Sequence, residues 1–206
     1  MRKWFYPLAF VTLIGFSILF LNLTHETMIE FDANMADLLT GNAFLQAFRI
    51  FGEQIVIIIA ALILMLFLAF YRKNYRGMLF VLFAVGGGNL LNQLLKKWVQ
   101  RERPDFPNQV ESFSFPSGNA MVGLLYLFTF AYFLAERVSS KITRYLIWFG
   151  AIVLTILVGL SRVAATAHYA SDVLAGWMIG YSFLIIVAMW YEWRTGQMNK
   201  RVTQSE

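Results

Sequence analysis

The chain has 206 residues, 59% hydrophobic, 17% aromatic and only 14% charged, where a soluble domain carries about a quarter of its residues as charges; this is the composition of an integral membrane protein. It has no cysteine, which excludes disulfides, thiol catalysis and thiolate metal sites. Its two histidines, His25 and His168, are too few for a multi-histidine metal centre, and its net charge of +5 follows the loops between apolar segments rather than one face, which argues against nucleic acid as a partner.

Six apolar segments of about 20 residues are each long enough to cross a hydrocarbon core. The first, residues 4–23, follows Arg2 and Lys3 as a signal peptide would. Its apolar run is long and the following "NLTHET" offers no small-residue cleavage site, so it reads as a span, with His25 at its interfacial end. Residues 24–53 are amphipathic and mildly acidic, which predicts short helices at the membrane surface. The second and third spans are residues 54–71 and 77–97. Gly86-Gly87-Gly88 in the third should let a neighbouring helix approach closely. The fourth, fifth and sixth are residues 117–135, 143–162 and 171–191. Trp4, Tyr6, Tyr191 and Trp193 fit an aromatic belt. The expected fold is therefore all-α: a polytopic membrane protein with six transmembrane helices and a short interfacial helical segment after the first. Residues 1–206 read as a single domain, without repeats or low-complexity stretches.

Basic residues set the expected topology. Eleven of the 17 lysines and arginines fall at the N-terminus, in 71–76, in 136–144 and in the C-terminal tail, which predicts cytoplasmic termini. The other six are Arg49, Lys96, Lys97, Arg101, Arg103 and Arg162. They run against the rule on the outward side, and charge at a span end is costly and tends to be functional.

Three segments carry the chemistry. In "KKWVQRERP" (96–104), Lys96 and Arg103 are seven apart, on one face if the helix continues that far, before Pro104 turns the chain. Arginine clamps phosphate oxygens with paired hydrogen bonds and lysine acts as a point charge; a patch for anionic head groups is the alternative. In "PSGN" (116–119), Ser117 is a good helix N-cap and Gly118 permits close backbone approach to a ligand. A helix N-terminus is an anion site, or simply a capped start. In "SRVAATAHYASD" (161–172), Asp172 lies four residues after His168. It could fix the imidazole tautomer and leave the other nitrogen as nucleophile or base, or the pair could only cap the last span. Arg162 adds a cation, or snorkels to head groups. All three segments fall at one outward membrane boundary. Together they offer cations, a helix N-terminus and an oriented histidine, the set that phosphoryl transfer uses for positioning and charge stabilisation. That set requires no metal or other cofactor.

These segments resemble the signatures of the type 2 phosphatidic acid phosphatase superfamily: Lys-x6-Arg-Pro, Pro-Ser-Gly-His and Ser-Arg-x5-His-x3-Asp. Here they read Lys96…Arg103-Pro104, Pro116-Ser117-Gly118-Asn119 and Ser161-Arg162…His168…Asp172. The motifs span residues 96–172, and the six-span layout extends the similarity over nearly the whole chain. The resemblance implies a metal-independent lipid phosphatase working through a phosphohistidine. His168 would attack phosphorus and Asp172 would orient it. Lys96, Arg103 and Arg162 would hold phosphate oxygens, with hydrogen bonds from Ser117 and Gly118. The substrate partner would be a phosphorylated lipid in the bilayer: phosphatidylglycerophosphate, phosphatidic acid or undecaprenyl pyrophosphate. The site would face outward from a bacterial plasma membrane.

Asn119 departs from the pattern, which has histidine there as general acid. An amide cannot give up a proton at neutral pH, though it can bond phosphate. The chain is therefore expected to bind substrate and turn over poorly. The intact remainder of the motifs favours a histidine-to-asparagine change made to inactivate the enzyme or trap a ligand over natural divergence. A catalytically silent lipid-phosphate binder is the rival reading, and a purely structural bundle leaves the outward cations unexplained. Glu102 and Asp105 are expected to pair with Arg101 or Arg103. For a diphosphate substrate Lys97 or Arg101 could reach the second phosphate, or both could simply be solvent-exposed. The oligomeric state is left open by the sequence.

Overall fold

The structure, a computed structural model, describes residues 5–104 and 112–204, with residues 197–204 as backbone only. Trp4 and Asp105 lie outside the described residues. Within them the chain is helical, without strands. Helix α1 is Phe5–Leu21, α2 is Glu26–Leu39 and α3 is Ala43–Ala47, which runs into a 3-10 turn at Phe48–Gly52. Helix α4 (Gln54–Leu66) continues through a π turn to Tyr71. Helices α5 (Tyr75–Val81) and α6 (Gly88–Val99) are joined by a second π turn, Leu82–Gly87. Then come α7 (Gly118–Ala135), α8 (Lys141–Ala164) and α9 (Ala170–Gln204).

Five stretches are long and apolar enough to cross a membrane: Gln54–Tyr71, Tyr75–Val99, Gly118–Ala135, Lys141–Ala164 and Ala170–Gly196. A sixth is reached if the bent pair of α1 and α2 counts as one span, with α1 as its apolar part. The 17 residues of α1 sit at the short end of the crossing range. The chain then bends by 102° into α2. The cause is compositional: α2 carries Glu26, Glu30, Asp32 and Asp37, which resist entry into hydrocarbon. Its apolar residues Phe31, Met35 and Leu39 pack on Ala120, Val163, Ala170 and Val173. The short helices expected after the first span are thus present and are anchored to the bundle.

Small residues set the helix spacing. A Cβ on Gly88 would fall 2.1 Å from Leu125 of α7, and one on Gly87 would fall 3.3 Å from Phe183 of α9. Two of the three glycines therefore do what the sequence predicts, while Gly86 meets only Leu82 of its own span. A backbone-to-backbone approach lies between α7 and α9. A Cβ on Gly176 would lie 2.8 Å from the Ser117 carbonyl, and one on Gly180 would lie 3.2 Å from that of Met121. This "GWMIG" run is a small-xxx-small interface, and it seats α9 on the first turn of α7.

The two ends of the bundle differ. At one end Tyr6 donates to Glu192 at 3.2 Å and the Asn74 amide to the Tyr191 hydroxyl at 3.2 Å. Phe80 is buried there against Tyr132, Phe133 and Tyr191, with ring centroids 5.4–5.5 Å apart. Tyr191, expected in an exposed belt, is in this core because Asn74 satisfies its hydroxyl. Lys96, Arg103, Arg162 and His168 gather at the opposite end.

Candidate active site

Helix α6 stops at Val99, and Gln100 takes a left-handed conformation with φ 54° and ψ 33°. The expected shared helical face of Lys96 and Arg103 therefore does not exist. The two meet because the chain reverses. Buried Lys96 donates from Nζ to the Phe113 carbonyl. Arg103 donates from Nε to the Ser112 carbonyl at 2.8 Å, from Nη2 to the Ser112 hydroxyl at 2.8 Å and from Nη1 to the Ala167 carbonyl at 2.7 Å. Both cations thus tie the segment entering α7 to the rest of the site.

That segment is held from both sides. Ser114 N–H donates to the Arg101 carbonyl at 2.8 Å and Ser117 N–H to the Asp172 carbonyl at 3.0 Å. The Ser117 hydroxyl accepts from Ala120 N–H at 3.4 Å, which caps α7 as predicted. Gly118 brings the helix start against α6, since a Cβ there would lie 3.0 Å from Asn92 Oδ1.

His168 lies just before α9 and is 2% exposed. Its Nδ1 is 3.6 Å from Asp172 Oδ2 and 3.4 Å from the Ser114 hydroxyl. Its Nε2 is 3.4 Å from Arg103 Nη1. Burial pushes the His168 pKa down to about 4, outweighing the pull of Asp172. The ring is then neutral at pH 7, with its proton toward Asp172 and the Nε2 lone pair toward Arg103. The spacing of His168 and Asp172 thus acts through a turn leading into a helix.

Asp172 is fully buried. Its Oδ2 accepts from the Ser114 hydroxyl and from Tyr169 N–H at 2.9 Å. Its Oδ1 accepts from Arg101 Nη1 at 2.7 Å. Arg101 Nη2 donates to Asp32 Oδ2 at 2.8 Å, and Asp32 also accepts from Ser171 N–H at 2.8 Å and the Ser171 hydroxyl at 2.6 Å. Burial works against the Arg101 charge, but Asp172 and Asp32 outweigh it and raise its pKa. Arg101 is therefore committed inside the protein. It does not pair with Glu102 and is not free for a second phosphate; Lys97 is exposed.

Arg162 ends α8 with Nη1 3.6 Å from Glu53 Oε1. Its Nε and Nη1 are buried without a hydrogen bond, and the ion pair to Glu53 leaves donor capacity on Nε for an anion. The charges of Lys96, Arg103 and Arg162 act on one another across the site. Asn119 turns its amide to the Gly52 carbonyl, to which Nδ2 donates. The site thus gathers Lys96, Arg103, Arg162, His168 and Asp172, while Asn119 faces the turn before α4. Sequence reasoning gave Arg101 a different role and missed Asp32, Ser114, Ser171 and Glu53. The one available signal was an aspartate on the apolar face of α2, beside Phe31 and Met35.

Residues 77–196 match the PAP2 superfamily. The chain belongs to the PAP2 superfamily. Among its PAP2 relatives is phosphatidylglycerophosphatase B of Bacillus subtilis, 37% identical over 155 residues, which cover 73% of this chain and 72% of that one. Its fold is similar to the crystal structure of a transmembrane PAP2-type phosphatidylglycerolphosphate phosphatase from Bacillus subtilis. The TM-score is 0.80 and the identity 27%, over 89% of this chain and 96% of the other. This PAP2 protein is a multi-pass membrane phosphatase.

Proposed function

We propose that this PAP2 phosphatase hydrolyses phosphatidylglycerophosphate, phosphatidic acid or undecaprenyl pyrophosphate at the outer membrane face through a phosphohistidine on His168. The supporting observation is the buried, neutral His168, with Nδ1 beside Asp172 and Nε2 beside Arg103. Nε2 attacks phosphorus. Asp172 offsets the charge that grows on the ring, and Lys96, Arg103 and Arg162 offset that on the phosphoryl oxygens. At the N-terminus of α7 the Ser117 hydroxyl and the Gly118 N–H add donors. Outward orientation is supported by the separation of this end from the termini and basic loops.

A second reading, a silent lipid-phosphate binder, is favoured by Asn119, whose amide has no proton to give. The test is phosphate release in detergent, with chelator present, from this chain and from Asn119→His on the three lipids side by side. The expected result is release without metal, faster in Asn119→His by up to the 10²–10⁴-fold that general acid help is typically worth. Binding of phosphorylated lipid without release from either form supports the silent binder.

A further inference from the structure

The reaction needs a proton at the lipid oxygen that leaves phosphorus, and Asn119 cannot supply it. The described acids of the site narrow the choice. Asp32 and Asp172 are buried and bound to Arg101. His168 is committed to attack, and Glu102 is exposed. The Tyr126 hydroxyl donates to the Phe51 carbonyl at 2.8 Å. Glu53 remains.

Several observations place Glu53 at the reacting end. It is the N-cap residue of α4, yet its side chain makes no capping bond. The carboxylate instead reaches Arg162, with Oε1 3.6 Å from Nη1, and Arg49, with Oε1 3.2 Å from Nε. Its side chain is 41% exposed against 13% for Arg162, whose Nε and Nη1 are buried without a hydrogen bond. The preceding residue, Gly52, is the one Asn119 holds. A Cβ on Gly52 would lie 2.7 Å from Val158 and 3.4 Å from Asn119 Cβ. The turn carrying Glu53 is therefore pressed against both α7 and α8.

We propose that Glu53 is the general acid, and then the general base, of this enzyme. The inference rests on the phosphohistidine reading. Among the described residues the Glu53 carboxylate pairs with Arg49 of its own turn and Arg162 of α8, and Asn119 of α7 holds the neighbouring Gly52. As His168 Nε2 bonds phosphorus, the bond from phosphorus to the lipid oxygen breaks and that oxygen takes the Glu53 proton. Water then attacks the phosphohistidine. Glu53 carboxylate takes the water proton, the phosphorus–nitrogen bond breaks, and phosphate leaves. Neutral His168 and protonated Glu53 are restored, and the net change is lipid phosphate plus water to lipid alcohol plus phosphate.

The test compares leaving groups. Glu53→Gln keeps the shape and removes the proton. A short-chain phosphatidic acid, whose alkoxide leaves poorly, should lose about 10²-fold or more in kcat, and p-nitrophenyl phosphate, whose leaving oxygen needs no proton, less than about threefold. Asn119→His added to Glu53→Gln should recover most of the lost rate. Equal loss on both substrates, or no loss on either, overturns the proposal. So does a chain that releases no phosphate while Asn119→His does, although that outcome keeps His168 as nucleophile. Full activity in His168→Asn would instead overturn the phosphohistidine reading on which the proposal rests.

Discussion

Arg101 donates to Oδ1 of Asp172 at 2.7 Å, while the other oxygen of that carboxylate faces His168. A buried aspartate beside a neutral histidine needs compensation to stay ionised. Arg101 supplies it, and Asp32 of α2 balances the second guanidinium nitrogen. Removing one partner leaves a buried charge alone, which typically costs about 3–5 kcal/mol. Arg101→Met should therefore lower the unfolding temperature sharply in detergent and cut phosphate release at least tenfold. Asp32→Asn should follow in the same direction with a smaller loss, since Asp172 still holds Arg101. Unchanged melting in Arg101→Met would show that the pairing is not formed.

The residues of this network show what was legible in the sequence. The Lys96–Arg103, Ser117–Gly118 and His168–Asp172 spacings name groups that fold into one cluster. Their geometry was not legible throughout, because Gln100 breaks α6 in a left-handed turn and replaces a helical face with a chain reversal. Asp32 was invisible as a site neighbour. It meets Arg101 and Ser171 across 69 and 139 residues of sequence, and local periodicity does not encode such a contact. Glu53 looked like one more charge in an interfacial segment for the same reason. Gly176 and Gly180, by contrast, stood in plain small-xxx-small spacing.

The burial of His168 sets a pH signature. Its pKa falls from 6.5 to about 4, so the nucleophile stays unprotonated through pH 5. The acid limb of kcat/KM should lack a His168 inflection near 6.5. Stability moves differently. Below about pH 6.5 the unfolded chain binds a proton that the folded chain refuses, so His168 makes stability fall as pH drops from about 6.5 toward 4. Ring titration by NMR checks both, and a His168 midpoint near 6.5 would contradict them.

Close packing of α9 on α7 positions both Ser117 and Asp172. Gly176→Ala puts a methyl 2.8 Å from the Ser117 carbonyl, and overpacking of this kind typically costs about 1–3 kcal/mol. Gly150→Ala meets nothing within 4 Å and should leave stability unchanged or raise it slightly. Melting curves of the two variants in one detergent should separate in that order, with phosphate release reduced in Gly176→Ala alone.

Arg103 makes four polar contacts, to Ser112, Ala167 and His168. A lysine ammonium cannot reproduce that fork. Arg103→Lys should keep the positive charge and still lose about 10-fold or more in kcat, with a smaller change in KM, because the segment before α7 and the His168 ring both lose their anchor. A loss confined to KM would mean that Arg103 serves only as a point charge for binding.

The most direct test of the central claim is chemical trapping of the intermediate. The chain is mixed with phosphatidic acid carrying a labelled phosphate, quenched within the first turnovers and digested. The account predicts label on His168 that is stable to base and lost in acid, with no label at that peptide in His168→Asn. Steady phosphate release with no labelled histidine, or release undiminished in His168→Asn, would contradict it.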